Sequence, residues 1–298
     1  MADFDAMRTQ MKEGAGFIAA LDQSGGSTPK ALALYGVDAG DYDGEDAMFA
    51  EIQRMRARIM QASDFTKAKV IGTILFERTL HEAVDGMKVP EFLWSQKGIV
   101  PFLKIDKGLE ETADGVQVMK PIPGLAETLA VAKLLGIFGT KERSVIHEAD
   151  AGGIARIVAN QMDVANVVLD VGMVPIIEPE VNIKSATKAE AEDLLEAELK
   201  AAIDALPDGA EVMLKLTLPT KPGLYDTLSD HPKVLRVVAL SGGYSTEEAC
   251  ALLAKNPKMI ASFSRALTEG LQRSMSDDEF GAALGQNIDQ IYQASVAA

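Results

Sequence analysis

The stretch from residue 174 to residue 218 decides the fold. It begins with the apolar run VPIIEPE (174–180), continues as KAEAEDLLEAELKAAIDAL (188–206) and closes with a second apolar run, EVMLKLTL (211–218). The middle segment predicts a helix over 187–206, because its apolar residues recur every three or four positions and share one face. Two strands joined by a covering helix form the unit from which parallel sheets are built.

Six further apolar, β-branched runs extend this pattern along the chain. They are FIAALD (17–22), KVIGTILF (69–76), IVPFLKID (99–106), SVIHEAD (144–150), VLRVVAL (234–240) and KMIASFS (258–264). Eight such runs with helical patterns between them predict an α/β fold, a (β/α)₈ TIM barrel. Since no linker or internal repeat divides the sequence, we expect residues 1–298 to form a single barrel domain.

Composition excludes several classes of protein. Lys and Arg number 29 against 44 Asp and Glu, so the net charge of −15 argues against a general nucleic-acid binder. Residues 1–14 lack the apolar core of a signal peptide, and no run approaches the ~20 apolar residues of a membrane span. The single cysteine, Cys250, excludes an internal disulfide. We therefore expect a cytoplasmic protein without membrane or nucleic-acid partners.

The three histidines give little basis for a metal site. His81, His147 and His231 form neither an HxH nor an HExxH pair. The sequence therefore favours chemistry without a metal or other cofactor.

Catalytic residues of parallel barrels come from the carboxyl ends of the strands. Polar residues in or next to the apolar runs are Asp22, Glu77, Arg78, Lys104, Asp106, Glu178, Glu180, Lys215, Ser241 and Arg265. We place Lys141 and Arg143 at the entrance of the fourth strand. About half of such strand ends are expected to be simply solvated.

Lys215 lies in VMLKLTL with apolar neighbours on both sides. A lysine that points into a barrel is desolvated, and together with nearby cations this favours the neutral amine that attacks a ketone. The alternative is a side chain that extends to the strand end and pairs with a carboxylate.

Glu178 and Glu180 lie two residues apart and point the same way by strand alternation. Two carboxylates beside lysines can divide acid and base roles, and the alternative is an ion-paired strand end. Asp22 ends the first run and is either a base or a turn residue.

Two glycine-containing elements could hold phosphate groups. Ser24-Gly25-Gly26-Ser27 leads into a helix with Pro29 in its first turn, and Ser241-Gly242-Gly243 follows the seventh run. Glycines let backbone amides approach an anion, and Arg265 follows the eighth run, where barrels commonly bind phosphate. An ordinary loop remains the alternative for Ser24–Ser27.

The sequence as a whole resembles the class I fructose-bisphosphate aldolases, the Schiff-base, metal-independent family, in their shorter bacterial form. The blocks IAALDQSGGST, TILFERTL, KGIVPFLKIDKG, KERS, VPIIEPEVN, VMLKLTLP, ALSGGYS and FSRAL follow one another in the family's order. The resemblance implies reversible cleavage of fructose 1,6-bisphosphate to dihydroxyacetone phosphate and glyceraldehyde 3-phosphate, a reaction of glycolysis and gluconeogenesis.

The resemblance also implies a role for each matching residue. Lys215 would form the Schiff base and Glu178 would act as the acid/base, with Asp22 and Lys141 as the other catalytic residues. The implied substrate and phosphate contacts are Ser24, Ser27, Lys104, Arg143, Glu180, Ser241, Gly242, Gly243 and Arg265. It implies a phosphorylated sugar as partner and leaves a homo-oligomer open.

Three positions depart from the family pattern. Gln23 stands where many members have an acid, Ser264 where a glycine is common, and the sequence ends in alanines where animal enzymes have a tyrosine. Tyr292 is a candidate substitute in proton delivery to C3, or else a packed helix residue.

Two other functions fit the sequence. One is a transaldolase-like Schiff-base transferase, which would require an acceptor aldose. The other is a binding or scaffold protein with a degenerate site, against which the joint presence of Lys215, Glu178 and Asp22 argues.

Overall fold

The computed structural model describes residues 3–297, and its central feature is a barrel of eight parallel strands. The strands are β1 (Phe17–Leu21), β2 (Val70–Leu75), β3 (Val100–Lys104), β4 (Gly139–Ile146), β5 (Val174–Val181), β6 (Val212–Thr217), β7 (Val234–Leu240) and β8 (Met259–Ala261). Each pairs in parallel with the next along the chain, and β8 contacts β1. The predicted TIM barrel is confirmed.

Helices surround the strands. They are α1 (Phe4–Glu13), α2 (Thr28–Leu34), α3 (Gly44–Gln61), α4 (Val89–Phe92), α5 (Leu125–Leu134), α6 (Ala151–Asp170), α7 (Lys188–Asp204), α8 (Asp226–Ser229), α9 (Thr246–Leu253), α10 (Arg265–Thr268) and α11 (Asp277–Ser295). Ser245 begins α9 with a capping box to Glu248, as its sequence predicts. Within residues 3–297, no helix has the length and apolar character needed to cross a bilayer.

The amino-terminal end of the barrel is closed by apolar side chains. Met7 and Met11 of α1 are fully buried and pack against interior residues such as Ile18, Phe102 and Val238. Arg236 donates hydrogen bonds to three carbonyls at the end of α1 and fixes the helix there. The polar interior residues therefore lie toward the carboxyl ends of the strands, where a barrel site forms.

The fourth strand differs from its prediction. It begins at Gly139, five residues before the predicted run, and ends at Ile146. Lys141 and Arg143 are consequently inside the strand, with Lys104 and Glu178 as their register partners, and not at its entrance. Because both side chains are charged, the first half of this strand lacks the apolar pattern that predicts strands. Each charge has a carboxylate partner in the barrel.

Candidate active site

Four charged side chains from four strands meet at the carboxyl end of the barrel. Lys215 Nζ in β6 lies 3.1 Å from Glu178 Oε1 in β5. The other oxygen, Glu178 Oε2, lies 3.0 Å from Lys141 Nζ in β4. Lys141 Nζ also lies 2.6 Å from Oδ2 of Asp22, which follows β1. The result is one continuous series of alternating charges, Lys215, Glu178, Lys141 and Asp22.

Strand alternation explains why these side chains converge. β4, β5 and β6 are neighbours, and inward-pointing residues of adjacent strands lie side by side in the barrel. Lys215, Glu178 and Lys141 are each no more than 4% exposed. Buried charges of this kind persist in proteins when each has a partner of opposite sign.

The charges set the protonation states of this series. Burial alone would raise the pKa of Asp22, but the charges of Lys141 and Lys215 outweigh it and hold that pKa well below its usual range. Glu178 has a lowered pKa because the same two lysines outweigh its burial. Burial would lower the pKa of Lys141, yet Asp22 and Glu178 raise it above its usual value. Asp22 and Glu178 are therefore carboxylates, and Lys141 is an ammonium.

Two further ion pairs flank the series. Arg143 Nε donates to Glu180 Oε2, and the nearby carboxylates raise the pKa of Arg143 despite its burial. Lys104 Nζ donates to Asp106 Oδ1 at 2.7 Å and to the Asp106 carbonyl at 3.1 Å. Arg143 and Lys104 are thus each bound by one acidic residue, and both cations line the central cavity.

The first glycine-containing loop is closed by its own serines. Ser27 Oγ accepts from the Ser24 N–H and donates to the Ser24 carbonyl, both at 3.0 Å. Gly25–Ser27 form a single 3₁₀ turn that leads directly into α2. Ser24, Gly26 and Ser27 line the rim of the cavity, while the N–H groups of Ser24 and Ser27 and the Ser27 hydroxyl form hydrogen bonds within the loop.

The second loop needs glycine for its conformation. Gly242 has φ +58° and Gly243 has φ +124°, and a Cβ at Gly242 would lie 2.8 Å from Ile183 Cγ2. A Cβ at Gly243 would lie 3.7 Å from Arg265 Nη2. The Ser241–Gly243 loop and the exposed Arg265 side chain are therefore neighbours.

A cavity of about 880 Å³ opens above the charge series. Of the sequence-predicted residues, its walls include Asp22, Ser24, Ser27, Lys104, Lys141, Arg143, Glu178, Lys215 and Arg265. Glu180, Ser241, Gly242 and Gly243 do not line it: Glu180 supports Arg143 from the side, and the Ser241–Gly243 loop lies beside Arg265. Among the described side chains, no group of three His, Cys, Asp or Glu is arranged to hold a metal ion.

Sequence reasoning missed the contribution of Arg56. It lies in α3 among Ile52, Met55 and Ile59, is 1% exposed, and donates to the Gln23 carbonyl. The sequence does contain a signal for this role, because Arg56 is a charged residue on the otherwise apolar face of a helix. Gln23 itself donates to Ser264 Oγ at 2.8 Å, so two of the departures from the family pattern contact each other.

Tyr292 lies far from the charge series. It is on α11, one turn after Asp289, which pairs with Lys69 at the amino-terminal entrance of β2. Its ring packs partly buried against the hydrophobic core. The interpretation as a packed helix residue is confirmed, because this position is at the opposite end of the barrel from Lys215.

The fold and the buried lysine–carboxylate series at the carboxyl ends of its strands define a TIM-barrel enzyme. Residues 5–225 match the family model for fructose-bisphosphate aldolase class I. A fructose-bisphosphate aldolase class 1 from Synechocystis sp. is 52% identical over 287 residues, which cover 96% of each chain. The chain belongs to the class I fructose-bisphosphate aldolase family.

Two solved structures share the fold. A fructose-bisphosphate aldolase from Plasmodium falciparum, solved with TRAP and a small-molecule inhibitor, superposes with a TM-score of 0.81 at 21% identity, over 99% of this chain and 95% of that one. Cgl0159 from Corynebacterium glutamicum gives a TM-score of 0.54 at 14% identity, over 99% and 93%. At these identities the two likenesses concern the barrel architecture alone.

Proposed function

We propose that this chain cleaves fructose 1,6-bisphosphate reversibly into dihydroxyacetone phosphate and glyceraldehyde 3-phosphate, through a Schiff base on Lys215. The observation that carries the proposal is the buried contact of Lys215 Nζ with Glu178 Oε1 at 3.1 Å, in a series that continues through Lys141 to Asp22. Family membership supports the reaction, and the charge series supports the residue roles.

Schiff-base formation would begin with a proton transfer from Lys215 to Glu178. The neutral amine attacks C2 of the ketose and forms a carbinolamine. Because Glu178 is a carboxylate in the free enzyme, it must first gain this proton before it can donate it to the departing C2 hydroxyl. Loss of water leaves an iminium, which withdraws electrons from the C3–C4 bond.

Carbon–carbon cleavage requires a base at the C4 hydroxyl, and we assign that role to Asp22. As the C4 proton moves to Asp22, the C3–C4 electron pair moves into the iminium and forms an enamine, and glyceraldehyde 3-phosphate leaves. Asp22 is a weak base because Lys141 and Lys215 lower its pKa, so the transfer must occur together with bond cleavage. The enamine then takes a proton at C3, and water releases dihydroxyacetone phosphate.

The two loops would hold the two phosphates. β7 adjoins β6 with Val238 opposite Lys215, so we assign the Ser241–Gly243 loop to the C1 phosphate, which is attached to the carbon next to the reacting C2. The Ser24–Ser27 loop follows β1 and would hold the C6 phosphate, with Arg265 between the loops. Two fixed phosphates orient the ketone for attack.

Borohydride reduction in the presence of dihydroxyacetone phosphate, followed by peptide mass spectrometry, tests the Schiff base. We expect a ligand-sized adduct on Lys215 and none in Lys215→Met. Lys107→Met is the matched control, because it removes another lysine of the cavity wall and should keep the adduct. Folded wild-type protein without an adduct on Lys215 would contradict the proposal.

We also infer a single barrel domain over 1–298 and a cytoplasmic location, supported by the single cysteine and by the phosphorylated substrate. A homo-oligomer is compatible with this function, and light scattering on the purified chain measures it.

A further inference from the structure

Arg56 carries a buried charge without a carboxylate partner. Its Nη1 donates to Thr79 Oγ1 at 3.0 Å, and its Nη2 donates to the Gln23 carbonyl and, at 3.4 Å, to Gln23 Oε1. Its Nε has no hydrogen-bond partner. Among the described side chains, Asp22 is the carboxylate whose charge acts on this guanidinium, from beyond ion-pair distance, and it offsets only part of the effect of burial on the pKa of Arg56. A buried cation of this kind is costly unless an anion compensates it.

Gln23 connects this cation to the Ser24–Ser27 loop and to the segment that carries Arg265. Its carbonyl and amide oxygen accept from Arg56, its amide nitrogen donates to Ser264 Oγ at 2.8 Å, and the next residue is Ser24. Ser264 in turn precedes Arg265 at the start of α10. Gln23, Ser24, Ser264 and Arg265 all line the same cavity.

We propose that Gln23 sets the preference of the enzyme for a bisphosphate sugar over a sugar with a C1 phosphate alone. Its neutral amide joins the Ser24–Ser27 loop to Ser264 and Arg265. The Arg56 guanidinium lies behind Gln23 and outside the cavity wall, and the neutral amide leaves its positive charge to act on the C6 phosphate through space. This inference rests on the proposed function, which assigns the C6 phosphate to the Ser24–Ser27 loop.

The charge of residue 23 determines how the site interacts with the C6 phosphate. A carboxylate in place of the amide would face the Arg56 guanidinium and neutralise it, and it would add a negative charge beside the C6 phosphate. Burial holds the pKa of Arg56 at about 10, which still leaves it charged at neutral pH. Interactions between charges are strong in such a poorly solvated place. A sugar without the C6 phosphate would lose far less binding from the same change.

Gln23→Glu tests this directly, with KM measured for fructose 1,6-bisphosphate and for fructose 1-phosphate. We expect the ratio of the first KM to the second to rise about tenfold, the effect of one like charge close to a bound anion. Gln23→Met, neutral and similar in size, removes only the amide hydrogen bonds and should raise the ratio about threefold. Gln96→Glu adds the same charge at an exposed position before β3 and controls for overall charge.

An unchanged KM ratio in folded Gln23→Glu would overturn the inference. This includes an equal rise of both KM values, which a general distortion of the site would produce. If Gln23→Glu does not fold, an unchanged KM ratio in Gln23→Met would overturn the inference.

Calorimetry separates this inference from the proposed reaction. Hexitol 1,6-bisphosphate and hexitol 1-phosphate have no ketone, so their binding does not depend on a Schiff base. A wild-type protein that fails to cleave either ketose would contradict the proposed function. The affinity ratio of the two hexitols in Gln23→Glu would still support or overturn the role of Gln23.

Discussion

Lys141 and Glu142 are adjacent residues of β4, both buried, with opposite electrostatic surroundings. Lys141 points into the barrel and contacts two carboxylates. Glu142 points to the other face of the strand, where Thr140 Oγ1 is its hydrogen-bond partner at 3.2 Å and Oε1 has none. Desolvation by burial raises the pKa of Glu142 well above 4.5, so the folded protein favours the neutral carboxyl group.

A raised carboxyl pKa makes stability depend on pH in a definite direction. Between its ordinary pKa of 4.5 and its raised folded-state pKa, Glu142 keeps its proton when folded and releases it on unfolding. Its contribution to the free energy of unfolding is therefore fully present below the ordinary pKa. Above it, the contribution falls by about 1.4 kcal/mol per pH unit until the folded-state pKa is reached.

Glu142→Gln should remove this loss, because glutamine is neutral in both states. We expect the free energy of unfolding of the variant to be larger, relative to wild type, at about pH 7.5 than at about pH 5.5, because the pKa of Glu142 is raised well above its ordinary value in the folded protein. Urea unfolding at the two pH values measures it. Glu111→Gln, at an exposed position, is the matched control. Parallel stability curves for Glu142→Gln and wild type would mean that Glu142 is ionised in the fold.

Among single residues, the sequence predicts those site residues that interrupt or end an apolar run. Lys215 stands out because it interrupts an apolar strand, and Asp22 because it ends one. Arg56 escapes prediction because its role depends on the Gln23 carbonyl, 33 positions earlier in the sequence. Only the folded chain brings these two residues together.

At the scale of elements, α7 contains two ion pairs of the same spacing in different surroundings. Lys188 and Glu192 are buried, and Lys188 Nζ also donates to the Leu218 carbonyl at 2.9 Å. Glu192 Oε2 accepts from the Thr220 N–H at 2.9 Å. Lys200 and Asp204 form an exposed pair. The buried pair thus joins the start of α7 to the segment that follows β6, the strand of Lys215.

Lys188→Met should destabilise the protein by about 3–5 kcal/mol, because it leaves the Glu192 carboxylate buried without its cation. Lys200→Met is the matched control on the same helix and should change stability by less than about 0.5 kcal/mol. Urea unfolding measures both. A double variant, Lys188→Met with Glu192→Leu, should recover most of the loss, since no buried charge then remains. Equal effects of the two lysine substitutions would contradict this prediction.

The elements themselves are predictable to different degrees. Two predicted elements end within two residues of the observed ones: the helix over 187–206, which is α7, and the strand over 211–218, which is β6. The prediction succeeds because one face of the helix is apolar and nearly all of the strand is apolar. β4 is displaced because its inward side chains include Lys141 and Arg143. Strands that supply a charged site lose the apolar pattern by which strands are found.

At the scale of the whole molecule, the two ends of the barrel differ in chemistry. The amino-terminal end holds Met7, Met11 and other apolar side chains, whereas the carboxyl end holds the charge series. Trp94, the single tryptophan, packs against the apolar cluster. A ligand at the carboxyl end and Trp94 fluorescence therefore report on opposite ends of the same barrel.

If the chain is one domain, a ligand bound at the carboxyl end should stabilise the region around Trp94 equally. We expect hexitol 1,6-bisphosphate at about 100 times its Kd to raise the free energy of unfolding by about 2.7 kcal/mol. Urea transitions followed by Trp94 fluorescence and by far-ultraviolet circular dichroism should coincide with and without ligand. The hexitol without phosphates is the control and should shift neither transition. A fluorescence transition that the bisphosphate leaves in place would mean that the two ends unfold independently, which contradicts a single domain.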